Sequence, residues 1–280
     1  MRKPHNRKKK IRSARYGRLL WQSVKWVCLI AVLLISILAG RRIAEQSRRG
    51  AEERASAEVF DRIVSAAATV APATVAPAEA AEALADPPAV LDRAGELLRE
   101  NADFVGMVGF EDMRLYVCQG DDNTYYASHR FDGSEDPAGM IFMDFRCSVW
   151  PLSDNTILYG HNMRDGSRFG KLKRFKRMKH LQKYPIIKFA SLYEVHDYAP
   201  LAVYQTNVRP EAEDYFDFAR TDFSTRTEFD AYIAESRARS VLDLQVDAQY
   251  GDPLLTLATC AEGDGERLIV VCVRIKGGEE

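Results

Sequence analysis

The sequence predicts a mainly β domain, closed into a barrel or packed as a sandwich, carried behind one N-terminal apolar helix. Three observations lead there. Eight runs rich in aliphatic, aromatic and β-branched residues fall between residues 104 and 275, punctuated by Gly, Asp, Asn and Pro. Long helical periods are few among them, which is the pattern of a barrel or sandwich. Charge and apolar residues are sharply segregated over the first 40 positions.

Met1 to Gln22 holds nine Lys and Arg and no acid, directly before an uncharged, largely apolar stretch from Trp26 to Gly40. Counted from Leu19, the stretch has 22 residues. As a helix it spans about 33 Å, enough for a hydrocarbon core of roughly 30 Å. This predicts a basic cytoplasmic arm (1–22) and a single transmembrane anchor (23–40), with the N-terminus inside. A cleaved signal peptide shares the basic-then-apolar order, but Ile37 spoils the small-residue cleavage pattern before Ala39. The net charge of −1 gives no reason to expect nucleic-acid binding.

Residues 41–87 read as an extracellular linker. Residues 41–62 mix acids and bases and suit a helix continuing beyond the membrane. From Ser65 to Val90, 12 of 26 residues are alanine and four are proline, and ATVAP occurs twice in succession. That composition has too little bulky apolar surface for a core and predicts a spacer. Asp86-Pro87 then resembles a helix start. Val90, Leu91, Ala94, Leu97 and Leu98 follow on one face of a short amphipathic helix.

The folded domain is expected over 88–276. Its strands are predicted at 104–110, 113–119, 139–145, 155–160, 185–198, 199–208, 252–259 and 267–275. Two helical inserts interrupt them. Ser167 to Met178 carries Phe169, Leu172 and Phe175 at three-residue spacing. Thr225 to Ala238 opens with Thr225-x-x-Glu228, a capping box, and sets Phe229, Tyr232 and Ile233 on one face.

The chemistry concentrates near the C-terminus. Leu254 to Thr259 delivers Cys260, a short acidic loop follows, and Arg267 opens the run from Leu268 to Val273. Cys260 and Arg267 can therefore face each other across a hairpin mouth. A thiol titrates near about 8.5 and attacks only as thiolate, so it needs a proton-handling partner. His161 in NTILYGHNM is the candidate, because it follows a strand end and Gly160. His5 belongs to the basic arm, and His180 and His196 sit among ordinary polar residues. His129 suits a local hydrogen bond. Arg267 shares a strand face with Ile269 and Val271, whereas Arg274 does not. Of the five cysteines, Cys28 lies in the apolar helix, and Cys118 and Cys272 read as small hydrophobes. Cys147 stays open, no spacing argues for a disulfide, and no metal or cofactor pattern is present.

These segments resemble a known family. TLATC (256–260) fits the T-L-x-T-C signature of sortases, and YGHNMRDGSRFGKLKRF is similar to the histidine segment of class B sortases. FVGMVGF, VCQGDDNTYYASHRFDG and GMIFMDF match in order, so the likeness runs from about Asn101 to Arg274. The resemblance implies a closed eight-stranded barrel, with a helix between the sixth and seventh strands as the class B mark. It implies Cys260 as nucleophile, His161 as proton shuttle and Arg267 as oxyanion or substrate clamp. Tyr159, Thr259, Ala258 and Asn123 fall on positions that line the substrate groove. Many class B members have serine where this chain has Ala258, which removes one hydroxyl from that wall.

The implied function is a membrane-anchored cysteine transpeptidase outside the cytoplasm of a Gram-positive-type cell. It would cleave an NPQTN-like or related Pro-x-Thr motif after Thr, in secreted proteins with a C-terminal sorting signal. The acyl group would pass to a lipid II-type cell-wall precursor amine. A pilin-polymerising enzyme, a thiol hydrolase and a non-catalytic surface binding module are the alternatives.

Overall fold

The computed structural model describes residues 5–69, 87–260 and 265–276; at 5–20, 22, 23, 67–69, 92 and 260 it describes the backbone alone. The chain divides into two compact units, Met1–Arg54 and Ala55–Glu280. The first is helical, part of α1 (His5–Thr69). Its side chains from Val24 to Ile43, Trp26, Leu33 and Ile35 among them, are exposed. Val24–Ala66 contains the one helical stretch among the described residues that is long and apolar enough to cross a membrane.

The second unit holds the strands. These are β1 (Phe104–Phe110), β2 (Met113–Cys118), β3 (Ile141–Met143), β4 (Asn155–Tyr159), β5 (Ile187–Ser191), β6 (Val195–Asn207), β7 (Leu254–Cys260) and β8 (Glu266–Arg274). They close in the order β1-β2-β3-β4-β7-β8-β6-β5, with β5 returning to β1. The expected eight-stranded barrel is present, and closure leaves no free sheet edge. Neighbours run antiparallel except β2 with β3 and β4 with β7. The main core draws on every strand, with Val108, Leu115, Met143, Ile157, Phe189, Val203, Leu257 and Val270 all buried.

Three elements differ from expectation. The break expected near residue 199 falls instead at 192–194, where Ser191 Oγ accepts from the backbone N–H groups of Tyr193 and Glu194. Pro200 stays inside β6 because the pairing to β8 shifts register between Pro200 and Ala202, and a proline without an N–H is tolerated at such a bulge. The helix expected over 167–178 is a 3-10 turn, Leu172–Lys176, followed by the short α3 (Met178–Lys183). Phe169, Leu172 and Phe175 are all buried, and a spacing of three is the 3-10 period rather than the α period. The third is α2 (Asp92–Glu100), which starts later than Asp86-Pro87. Residues 87–91 are not helical, and Leu91 N donates to Leu192 O at 2.9 Å, holding the chain on the barrel before the helix begins.

The expected apolar face of α2 does pack. Ala94 and Leu97 are buried against Phe104 and Met107, with Val90, Leu91 and Leu98 partly buried beside them. Phe60 and Ile63 at the end of α1 join the same cluster, although they lie in the stretch expected as linker. Gly109 makes room, since a Cβ there would meet the Phe60 ring at 2.6 Å. The Ala/Pro-rich segment from 70 to 86 and the N-cap candidate Asp86 lie outside the described residues. The helix between β6 and β7 is α4 (Arg226–Arg239), and Thr225 Oγ1 accepts from Glu228 N at 3.2 Å as its N-cap. The Glu228 carboxylate reaches back to Ser224 N rather than to the N-cap itself, at 2.9 Å.

Candidate active site

The ladders of β4, β7 and β8 set the site. β4 and β7 pair in parallel from Asn155 opposite Leu254 to Tyr159 opposite Ala258. Gly160 N carries the ladder one step further by donating to Ala258 O at 3.2 Å. His161 lies two residues beyond Tyr159, and Cys260 two beyond Ala258, so the register brings both to one level at one end of the barrel. β8 runs antiparallel to β7 on its other side, and the Cα partner of Cys260 is Arg267. Neighbouring strands lie about 4.8 Å apart, so three side-chain positions from three segments share one rim.

Local constraints hold His161 there. A Cβ at Gly160 would meet Ile141 Cδ1 at 2.4 Å and the Phe169 ring at 3.0 Å, so a larger residue would have to push both side chains aside. The His161 carbonyl accepts from Met163 N at 3.1 Å and Phe169 N at 3.0 Å. Its ring Nε2 lies 2.8 Å from Ala127 O. A carbonyl oxygen only accepts, so Nε2 carries a proton and Nδ1 holds the lone pair in the neutral ring.

A groove of about 420 Å³ opens at this rim, and Asn123, Tyr159, His161, Ala258, Thr259 and Arg267 all line it. The side chain of Cys260 lies outside the described residues. Arg267 is half-buried, with Nη1 donating to Glu266 O at 3.0 Å. Thr259 is 2% exposed, and its Oγ1 has no hydrogen-bond partner among the described residues. A buried hydroxyl left unpaired in a groove wall has bonding capacity for a ligand.

Tyr159 and Asn123 are held from behind. Tyr159 Oη donates to Asp144 Oδ2 at 2.9 Å, and Asn123 Nδ2 donates to the same oxygen at 3.1 Å. Burial, reinforced by the Asp144 charge, pushes the Tyr159 phenol well up, so it stays a donor. Burial alone would raise Asp144, but hydrogen bonds from Arg146 outweigh it and hold the carboxyl below its usual range. Sequence reasoning passed over Asp144 and Arg146. The only trace was an Asp-x-Arg turn closing the run 139–145, in which Asp144 Oδ1 accepts from Arg146 N at 3.0 Å. It also passed over the opposite wall, where Val208 and 215–219 carry no motif.

The other candidates resolve into structural roles. His129 stacks on Tyr125 with centroids 4.0 Å apart, and its Nδ1 lies 2.8 Å from Tyr125 O. Cys118, Cys147 and Cys272 are buried thiols, and Cys118 accepts from Asn101 Nδ2 at 3.6 Å. Cys147, left open by the sequence, accepts from Ile157 N at 3.5 Å. Arg274 closes the far end of β8, opposite Tyr198. Among the described residues no cluster of three or more His, Cys, Asp or Glu could hold a metal ion.

No family model matches the chain. Over 181 residues it is 32% identical to Sortase B of Listeria monocytogenes, covering 64% of this chain and 71% of that protein. Sortase B of Staphylococcus aureus is 30% identical over 181 residues, covering 63% of this chain and 72% of that one. Among solved structures, the chain is similar to a Staphylococcus aureus sortase B–substrate complex, with a TM-score of 0.69, 25% identity, and coverage of 84% and 99% of the two chains. A crystal structure of sortase B from B. anthracis gives a TM-score of 0.60 at 30% identity, covering 68% of this chain and 88% of that one. With this closed barrel and these relatives, the chain belongs to the sortase B family and is a class B cysteine transpeptidase.

Proposed function

We propose that the enzyme is membrane-anchored through residues 23–40 and cleaves an NPQTN-like or related Pro-x-Thr sorting motif after the threonine. The acyl group then passes to an amine of a cell-wall precursor. Cys260, as thiolate, attacks the threonine carbonyl; a C–S bond forms as the scissile C–N bond breaks, and imidazolium at His161 protonates the departing amine. The neutral ring then accepts a proton from the incoming amine, whose nitrogen displaces the sulfur. Because Nε2–H is engaged by Ala127 O, Nδ1 is the nitrogen that exchanges the proton. Arg267, always charged and rich in donors, stabilises the oxyanion.

The observation that carries this reading is the register of β4, β7 and β8, in which 161, 260 and 267 reach one rim of a groove. The related Staphylococcus aureus enzyme was solved as a substrate complex, which supports a peptide in the corresponding groove here. The test incubates the full chain in detergent with a fluorogenic NPQTN peptide and a triglycine acceptor. The expected result is a thioester on Cys260 by mass spectrometry and transfer to the added amine. Cleavage that survives Cys260→Ala overturns the nucleophile, and hydrolysis without transfer makes the protein a thiol hydrolase.

A further inference from the structure

Asp144 does not line the groove, yet two lining residues, Tyr159 and Asn123, bond to it, and a third, Ala219, bonds to its partner Arg146. Its carboxylate is fully buried and gathers five donors. Arg146 Nε reaches Oδ1 at 2.9 Å and Nη2 reaches Oδ2 at 2.7 Å, a bidentate pair. Arg146 N, Tyr159 Oη and Asn123 Nδ2 supply the others. Arg146 Nη2 also donates to Ala219 O at 3.0 Å, on the opposite wall. Gln119 Nε2 pins the same turn through Asp144 O at 2.9 Å and Cys147 O at 2.7 Å.

We infer that the Asp144–Arg146 pair is a positioning device for substrate recognition: it aims Tyr159 and Asn123 into the groove and straps the 208–219 wall to β3. The inference rests on the peptide-cleaving reading above. It has a chemical consequence. A phenol has one hydrogen, and Tyr159 spends it on Asp144, so its oxygen meets the substrate only as an acceptor. Asn123 Oδ1 accepts from Phe145 N at 3.0 Å, and its Nδ2 keeps one N–H beyond the bond to Asp144 to offer the groove. The wall therefore suits a substrate group that both donates and accepts, as a peptide unit or a side-chain amide does.

The experiment compares wild type, Asp144→Asn, Arg146→Ala, Tyr159→Phe and the Asp144→Asn/Tyr159→Phe pair, each as full chain in detergent. With the NPQTN peptide, Asp144→Asn is expected to raise KM about tenfold, the scale of a lost charged hydrogen bond, with kcat changed much less. The double variant should lose less than the product of the two single losses, because the Tyr159 contact is shared, while Asp144 still acts through Asn123 and Arg146. Independent losses that multiply, or an unchanged KM, overturn the inference. Hydrogen exchange supplies the arm that needs no activity. Arg146→Ala, altering a side chain 46% exposed, should raise exchange in 208–219 and leave β5–β6 unchanged. Unchanged exchange in 208–219 also overturns the inference. If wild type leaves the peptide uncut, the proposed specificity has failed, and the exchange result still judges the brace.

Discussion

Two cysteines on facing strands of one ladder have opposite circumstances. Cys272 lies mid-strand in β8, opposite Leu255 on one side and Pro200 on the other, with no exposed surface. Burial alone pushes its thiol well above the ordinary value. Cys147, also enclosed, is pushed up to about 12, again chiefly by burial. Cys260 ends β7 opposite an arginine, at a rim shared with His161. A thiolate needs water, a cation or a donor to be stable, and the middle of the ladder supplies none. The same sheet thus encloses one thiol in its interior and ends a strand on another at its mouth, opposite an arginine.

The sharpest break of this contrast is Cys260→Ala, expected to lower peptide turnover by at least about a thousandfold, as loss of a covalent nucleophile does, measured as kcat with the fluorogenic peptide. Next, Arg267→Lys should cost about a hundredfold in kcat/KM, since lysine keeps the charge but loses the fork of donors. Arg274→Lys, at the other end of the same strand, should stay near wild type; equal losses at both ends would dissolve the distinction between mouth and interior. Labelling tests it without substrate. At neutral pH iodoacetamide should modify Cys260 while Cys147 and Cys272 resist until the protein is unfolded, as read by mass spectrometry.

Alkaline stability sharpens the other half. The folded thiol of Cys147 titrates above its unfolded counterpart, so on raising pH the unfolded chain loses its proton first and is favoured. Stability should therefore be full below the ordinary value of 9.0 and fall as pH rises towards about 12. Denaturant titrations on either side of 9.0 check this, and Cys147→Ala should reduce the slope. The smallest effect lies off the ladder. Thr225→Ala removes the N-cap of α4 and should cost about 1 kcal/mol in denaturant unfolding while leaving turnover unchanged.

Much of this contrast was readable in the chain. Leu254 to Thr259 announced a strand ending in Cys260, and the run after Arg267 its partner, because hairpins are local and side chains alternate with period two. Thr225 and Glu228 announced the start of α4 for the same reason. Phe169, Leu172 and Phe175 match an α face only by their spacing: Leu172 and Phe175 are the buried residues of a 3-10 turn, and Phe169 lies in the turn just before it. Asp144 was passed over because an acid near an arginine in a turn ordinarily reads as solvated surface. Only the approach of Tyr159 and Asn123 makes it a fully enclosed anion.

By itself, then, the sequence determined the strands, the cap of α4, the apolar N-terminal helix and the strand end that carries the thiol. Each depends on neighbours a few residues away. Tertiary structure alone decided that β4 lies beside β7, bonding Thr256 Oγ1 to Asn155 Oδ1 across 101 positions. It alone decided that the segment around Ala219 walls the groove and that Asp144 is sealed behind it. Such pairings are chosen by closing the barrel and burying all eight strands together, and no local preference distinguishes one distant partner from another.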